Sequence, residues 1–432
     1  MQVTIEESRY AKLVMHLDDN AFIFNLESQL ENTDPNFKKN LVLVLIKHYQ
    51  PLKLNLMCND KSKYTELFSF LDTNLDLQLC EQLGIKPIQQ QKLSDEALDT
   101  LTRKLACLII GGQGDALGYV VEFVKLRTII QLHKGLYTKK SQMVSDDTQM
   151  AIFAELAMLA GGDLESFKHQ FLNWFQTQSH EQKVRTVKTE LQNISKALKH
   201  MRAPGNTCLS ALGSGGKGTL ANRVNKSKGC GSIMRNGTIA LHLKPIEELM
   251  ECAAIQALIT HGHDDAFLPC CFQTVFQHQL LKIVRDVELN QQGWFQKCQL
   301  ALQQSHQFMQ KCKYAPQYSR SNTKLLIEKL MEQKQHPVDL KADIYEKSEL
   351  HQNLQKFGEG WVADEALAIA LFCLMQTPDP MEQIVVAANH NGDSDSTACI
   401  CGQIYGSVCG FKGFPIDGIY IDVLDEIAWV CK

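Results

Sequence analysis

The 432-residue chain exceeds one average domain, and suits a single large helical enzyme with an appended piece as well as two equal domains. Its 44% hydrophobic and 21% charged residues exclude a disordered or fibrous protein, and a net charge of −4 gives no broad footprint for nucleic acid. The fifteen cysteines form an odd, scattered set without paired CxxC modules of zinc spacing, which predicts reduced thiols and a cytoplasmic, reducing compartment. Residues 1–14 carry two early glutamates and no uninterrupted apolar run, unlike a signal peptide, although export by a non-classical route or into a host cell stays open. No stretch approaches the roughly 18 apolar residues of a membrane span.

In chain order, residues 1–92 read as short amphipathic helices broken near Pro35 and Pro51 and ended by the linker Gln89-Gln90-Gln91. They carry no catalytic constellation. A helix is predicted from Ser94, where a serine cap and the acids Asp95 and Glu96 satisfy free N–H groups and oppose the helix dipole. Further helices are predicted over 148–160, 164–177, 183–201, 246–259, 267–287, 294–312, 322–333, 362–376 and 397–409. Period-2 apolar alternation is nearly absent, so the expected body is all-α with little or no sheet. The Gln- and Lys-rich stretch 288–356 is expected to be a peripheral helical excursion.

Several motifs reduce to ordinary structure. The cluster Gly111-Gly112-Gln113-Gly114-Asp115-Ala116-Leu117-Gly118 lacks GxGxxG spacing and follows a helix instead of a strand, so it is read as a turn. Glu122, one helical turn beyond, is by itself a surface glutamate. Gly215-Gly216-Lys217-Gly218 has glycine where a phosphate loop needs serine or threonine. His261-Gly262-His263 suggests a capping or core role more than metal ligation. Cys230, in a glycine-rich loop, has no placed partner for nucleophilic catalysis. The pairs Cys270-Cys271 and Cys399 with Cys401 read as packing, as does the stripe Gly402, Gly406 and Gly410, which lets a neighbouring helix come close.

Two segments carry more. Ser145-Asp146-Asp147-Thr148 and Asp393-Ser394-Asp395-Ser396 each precede a helical run, and each is a competent helix cap. A calcium loop at the second fails, with Ala398 at its sixth position and Ile404 at its twelfth. Together, however, the two starts place four carboxylates and hydroxyls almost 250 residues apart in sequence. These are hard oxygen donors suited to Mg²⁺ or Mn²⁺. A cation at a helix N-terminus opposes the dipole, so several carboxylates are needed to hold one there.

Taken in order, the motifs resemble the ADP-ribosylglycohydrolase family, typified by dinitrogenase-reductase-activating glycohydrolase. The resemblance runs from about residue 100 to the C-terminus. It is carried by Gly114-Asp115-Ala116-Leu117-Gly118 with Glu122, Ser145-Asp146-Asp147-Thr148, Arg202-Ala203-Pro204-Gly205-Asn206-Thr207 and Gly229-Cys230-Gly231 with Met234-Arg235. Thr260-His261-Gly262-His263, Gly358-Glu359-Gly360-Trp361-Val362-Ala363 and Asn389-His390-Asn391-Gly392-Asp393-Ser394-Asp395-Ser396 complete it.

The resemblance implies an all-α orthogonal helical bundle over 93–432; it does not cover 1–92, an additional N-terminal helical region expected to recruit a target protein or to stabilise the bundle. It implies two Mg²⁺ (or Mn²⁺) held by Ser145, Asp146, Asp147, Asp393, Asp395 and Ser396. Glu122, Asp147 and Asp395 would be the catalytic set, and Gly114, Asp115, Gly205, Asn206, Gly229, Cys230, Gly231, Met234 and His261 would face ADP-ribose. The chain departs from the family at Asp264, where proline is common, at Asn391, where a second glycine is common, and at Ser396, where threonine is common. Asn391 is expected to narrow the cleft. The implied activity is removal of ADP-ribose from a modified protein, with arginine as the first linkage. ADP-ribosyl-serine, O-acetyl-ADP-ribose and free polymer remain alternatives, as do an ADP-ribose-binding pseudoenzyme and a nucleotide phosphoesterase.

Overall fold

The computed structural model describes residues 95–139, 141–178, 196–284, 291–415, 419 and 421–431. The expected N-terminal helices over 1–92, the Ser94 cap and most of the helix expected over 183–201 lie outside the described residues; the described end of that last span is a 3-10 turn, Lys196–Lys199. Residues Thr100–Phe414 and Tyr420–Cys431 make one compact unit, which carries every feature discussed below.

Among the described residues the chain is all-α, without a strand; one isolated bridge pairs Gly229 with Val362. The helices begin with α1 (Asp95–Tyr119), α2 (Leu126–His133), α3 (Asp146–Leu159), α4 (Leu164–Thr177) and α5 (Asn206–Gly213). After 3-10 turns at Cys230–Ser232 and Ile239–Leu241 come α6 (Ile246–Leu258), α7 (Asp264–Val284), α8 (Gln291–Met309), α9 (Ala315–Tyr318) and α10 (Asn322–Met331). The series ends with α11 (Ala342–Tyr345), α12 (Glu349–Leu354), α13 (Ala363–Gln376), α14 (Pro380–Ala388), α15 (Ser394–Cys409) and α16 (Leu424–Val430). None is long and apolar enough to cross a membrane.

The core is built on helices buried around nearly their whole circumference. Every residue of α15 is buried, and α13 is buried at all positions but Glu365. Such all-round burial marks the centre of a large bundle. The cysteines fit there as small hydrophobes: Cys270, Cys271, Cys399 and Cys401 are wholly buried, and the described cysteines are free thiols. The stretch 288–356, expected at the periphery, instead supplies core side chains. Trp294, Tyr318 and Tyr345 are fully buried, and the Trp294 indole donates to the Leu374 carbonyl on α13 at 2.6 Å.

The glycine cluster expected as a turn is instead the last two turns of α1. Its glycines answer a neighbour. A Cβ at Gly114 would lie 2.3 Å from the Ala398 carbonyl oxygen, and one at Gly118 2.2 Å from that of Ser394. Reciprocally, a Cβ at Gly402 would lie 2.4 Å from the Ile110 carbonyl, and at Gly406 2.3 Å from that of Ala106. Contacts stepping by four residues in opposite directions mean that α1 and α15 run antiparallel with their backbones touching. Each glycine costs about 1 kcal/mol of helix propensity, and the close approach offsets it. Gly410 belongs to a different device: nothing lies within 4 Å of its Cβ position and its φ is +62°, a positive value that favours glycine, so it ends α15 instead of extending the stripe.

Candidate functional site

The antiparallel pair delivers the C-terminal end of α1 to the N-terminal end of α15, and α3 starts beside both. Asp115, on α1, is completely buried and holds that start. Its Oδ1 accepts from Ser145 N at 2.9 Å, and its Oδ2 from Thr148 N at 3.0 Å and Thr148 Oγ1 at 2.5 Å. Burial nevertheless pushes its carboxyl up to about 6 against these hydrogen bonds. Ser145 caps α3 as expected, accepting from Asp147 N at 3.1 Å. The loop before α5 is tied in from the other side. Asp146 N donates to Arg202 O at 3.0 Å, and the Arg202 guanidinium donates to Val144 O at 2.8 Å and pairs with Asp422.

At the start of α15, Asp393 caps the helix through Ser396 N at 3.3 Å, while its own N–H donates to Glu359 O at 2.8 Å. The Cys230 thiol donates to Asp393 Oδ2 at 2.9 Å. A Cβ at Gly392 would stand 1.8 Å from the Glu359 carbonyl, so the loop can close only with glycine there. Asn391 does not narrow the cleft by pointing into it: its Oδ1 accepts from Leu126 N at 2.9 Å and braces the start of α2.

These two starts, with Glu122, concentrate negative charge in a dry setting. Carboxylate oxygens of Glu122, Asp393 and Asp395 all lie within 4.8 Å of one another. Burial, then the charges of Asp393 and Asp115, push Glu122 up to about 8. Asp147 is held well above the usual carboxylate range by burial and then by Asp115, Asp146 and Asp393; Asp395 by burial and then by Asp147, Asp393 and Glu122; Asp146 by burial and then Asp115. Asp147 Oδ2 is buried with no hydrogen-bond partner. A buried, unpartnered carboxylate oxygen among like charges is costly unless something cationic accepts it. Hard carboxylate and hydroxyl oxygens suit a divalent cation such as Mg²⁺ or Mn²⁺, so the donor set fits the implied metal.

The expected substrate-side residues divide. Gly205 and Asn206 are exposed at the start of α5, with open space around Gly205. Gly229 and Cys230 lie at the acidic cluster's edge, where Cys230 N donates to Trp361 O at 3.2 Å. Gly231 sits over His261, whose Cε1 would be 3.2 Å from an added Cβ. His261 itself is beneath the surface: it is 2% exposed, its Nδ1 meets Thr260 Oγ1 at 2.8 Å, and burial, then Arg235, push it down to about 3. The buried Arg235 holds this floor by donating to Gln256 Oε1 at 2.8 Å and Thr260 Oγ1 at 2.7 Å.

Three of the expected positions lie inside the protein: Gly114 packs on α15, Asp115 spends both carboxylate oxygens on the start of α3, and Met234 is buried with its carbonyl accepting from Gln403 Nε2 at 2.5 Å. Sequence reasoning also passed over individual residues of the rim. Phe123 and Trp361 stack in the open beside Glu122 and Asp393, and Glu359 anchors Asp393 through its carbonyl. The signal available in the sequence was the pair Gly358 and Gly360 flanking Glu359 just before Trp361; both glycines adopt positive φ.

The sequence model of one family, ADP-ribosylglycohydrolase, matches residues 96–429. No curated protein sequence matches the chain. A solved structure described as an ADP-ribosylglycohydrolase-related protein complex aligns over 77% of this chain and 96% of its own, at 17% identity and a TM-score of 0.50, a likeness that speaks to the fold alone.

Proposed function

From the premise that the chain belongs to the ADP-ribosylglycohydrolase family, we propose that it hydrolyses the bond between the anomeric carbon of ADP-ribose and a protein side chain, arginine first, with two Mg²⁺ or Mn²⁺ ions. The observation that carries this reading is the acidic cluster, in which Glu122, Asp393 and Asp395 converge within 4.8 Å and Asp147 Oδ2 is left without a partner. Asp146, Asp147, Asp393 and Asp395 would hold the ions, with the Ser145 and Ser396 hydroxyls adjoining them. When bound, such ions orient ribose hydroxyls and make a water more acidic.

The remaining chemistry belongs to the chain. Breaking the glycosidic bond builds positive charge on the ribose ring, and the carboxylates around Asp395 and Asp147 stabilise it electrostatically. Glu122 is the most open of the three converging acids and its carboxyl is pushed towards neutral pH, which suits it to take the proton of the water that adds to the anomeric carbon and return it to the departing side-chain nitrogen. The Asp115 hydrogen bonds and the α1–α15 contact keep the two helix starts in place, so little reorganisation is needed during reaction. The exposed start of α5 at Gly205 and Asn206 offers backbone N–H groups for the pyrophosphate.

The test is incubation of the full chain with arginine-ADP-ribosylated protein, ADP-ribosyl-serine peptide and O-acetyl-ADP-ribose, with Mg²⁺ and after chelation, read by mass spectrometry. Mg²⁺-dependent release of ADP-ribose, fastest from arginine, is expected. No release from any of the three would refute the reading.

A further inference from the structure

We propose that the stacked rings of Phe123 and Trp361, with the Glu359 carboxylate beside them, seat the arginine side chain that carries ADP-ribose. This rests on the hydrolase reading above. The ring centroids are 4.7 Å apart and the planes 16° apart, while the residues remain 58% and 42% exposed. Each ring is tethered to the acidic centre through backbone. Phe123 directly follows Glu122, and its N–H donates to Gly392 O at 3.1 Å, next to Asp393. The Trp361 carbonyl accepts from Cys230 N at 3.2 Å, and the Cys230 thiol in turn donates to Asp393 Oδ2. Phe123 has φ of +64°, a left-handed conformation uncommon for a bulky residue, so the fold accepts local strain to place this ring.

The chemistry at the stack is that of a guanidinium receptor. The Trp361 indole donates to Glu359 Oε2 at 2.9 Å and Lys125 pairs with Glu359 Oε1, which fixes a carboxylate against the aromatic pair. A guanidinium is planar, weakly hydrated and always charged; it stacks on aromatic faces and pairs with carboxylates. Because the acids act on the anomeric carbon, residues contiguous with Glu122 meet the group bonded to that carbon, and the nucleotide extends away from them. A serine side chain offers neither charge nor a plane to stack.

The experiment uses full-length Phe123→Ala, Trp361→Ala and Trp361→Phe. Hydrolysis of ADP-ribosyl-arginine and ADP-ribosyl-serine peptides is measured with Mg²⁺, together with calorimetric affinity for free ADP-ribose, which has the base and both riboses but no leaving side chain. The alanine variants should lose roughly three- to thirtyfold in kcat/KM on the arginine peptide. Trp361→Phe should recover most of that, and serine-peptide hydrolysis and ADP-ribose affinity should change by less than about twofold. Equal losses on both peptides, or weakened ADP-ribose binding, which would put the stack under the nucleobase, overturn the inference while leaving the hydrolase reading intact. A wild-type chain inactive on both peptides overturns that reading, and the inference with it.

Discussion

Replacing Glu122 with glutamine removes one charge from the acidic cluster and keeps the shape of the side chain. In the metal-free protein the Glu122 carboxyl is pushed from 4.5 to about 8, first by burial and then by Asp393 and Asp115. At about 1.4 kcal/mol per pKa step this corresponds to roughly 5 kcal/mol, which solvent access on its open side and its shared titration with neighbouring acids reduce to about 2 kcal/mol. A carboxyl raised in the folded state contributes stability that is fully present below about 4.5 and is lost as the pH rises through about 8. Chelated Glu122→Gln should therefore unfold at the same temperature as wild type near pH 4.5 and a few degrees above it near pH 8.5. Saturating Mg²⁺ should close the gap, since a bound cation supplies the missing positive charge. Thermal unfolding at both pH values, with chelator and with Mg²⁺, reads all of this. A gap of equal size at both pH values, or a metal-free variant less stable than wild type at pH 8.5, would refute the electrostatic account.

Three further outcomes are expected. Asp147→Ala or Asp395→Ala should abolish ADP-ribose release while far-UV circular dichroism stays helical, and full activity in either would remove that residue from the metal site. Mg²⁺ at about a hundred times its dissociation constant should stabilise the wild-type chain by about 2.7 kcal/mol, seen as a rise in unfolding temperature that chelator reverses; no shift at millimolar Mg²⁺ would count against a built cation site. Gly118→Ala places a Cβ 2.2 Å from the Ser394 carbonyl and 2.4 Å from Asp395 N, so the backbone must part. It should cost at least about 1–3 kcal/mol and weaken Mg²⁺ binding by calorimetry, whereas an unchanged melt would mean that the α1–α15 contact is not tight.

The all-α class was legible because helical periodicity and helix-start chemistry are local signals. Expected spans such as 164–177 and 246–259 match α4 and α6 closely because local start signals sit before an apolar run: the Asp163 cap for α4, and Pro245 followed by Glu247 and Glu248 for α6. The two acidic helix starts were legible for the same reason: Ser145 and Asp393 announce themselves as caps, and both cap their helices. What local signals do not contain is the neighbour. Gly114 and Gly118 read as a turn because glycine in a helix is unfavourable until another backbone comes so close that no Cβ would fit, and that backbone lies some 280 residues on. The stretch 288–356 read as peripheral from its glutamines and lysines, yet Trp294 and Tyr345 decide its position. Asn391 read as an obstruction to the cleft because its partner, the N–H of Leu126, is not visible in its own segment.

The Gly114-Asp115-Ala116-Leu117-Gly118 segment gains a role different from the one first expected of it. Its glycines face α15 and its aspartate faces α3, so one helical turn of α1 sets the spacing between the two acidic helix starts, with Glu122 a turn beyond. Asp115 is thus a positioning residue, and Asp115→Asn separates this role from substrate contact. Asparagine offers only one acceptor oxygen, so either Ser145 N or Thr148 N loses its buried partner, a cost of about 1–3 kcal/mol at the start of α3. The displaced ligands should bind Mg²⁺ more weakly, so activity should fall at low Mg²⁺ and recover as Mg²⁺ is raised, with ADP-ribose affinity at saturating Mg²⁺ near that of wild type. If Asp115 instead touched the sugar, excess Mg²⁺ would restore nothing and the loss would appear in product affinity.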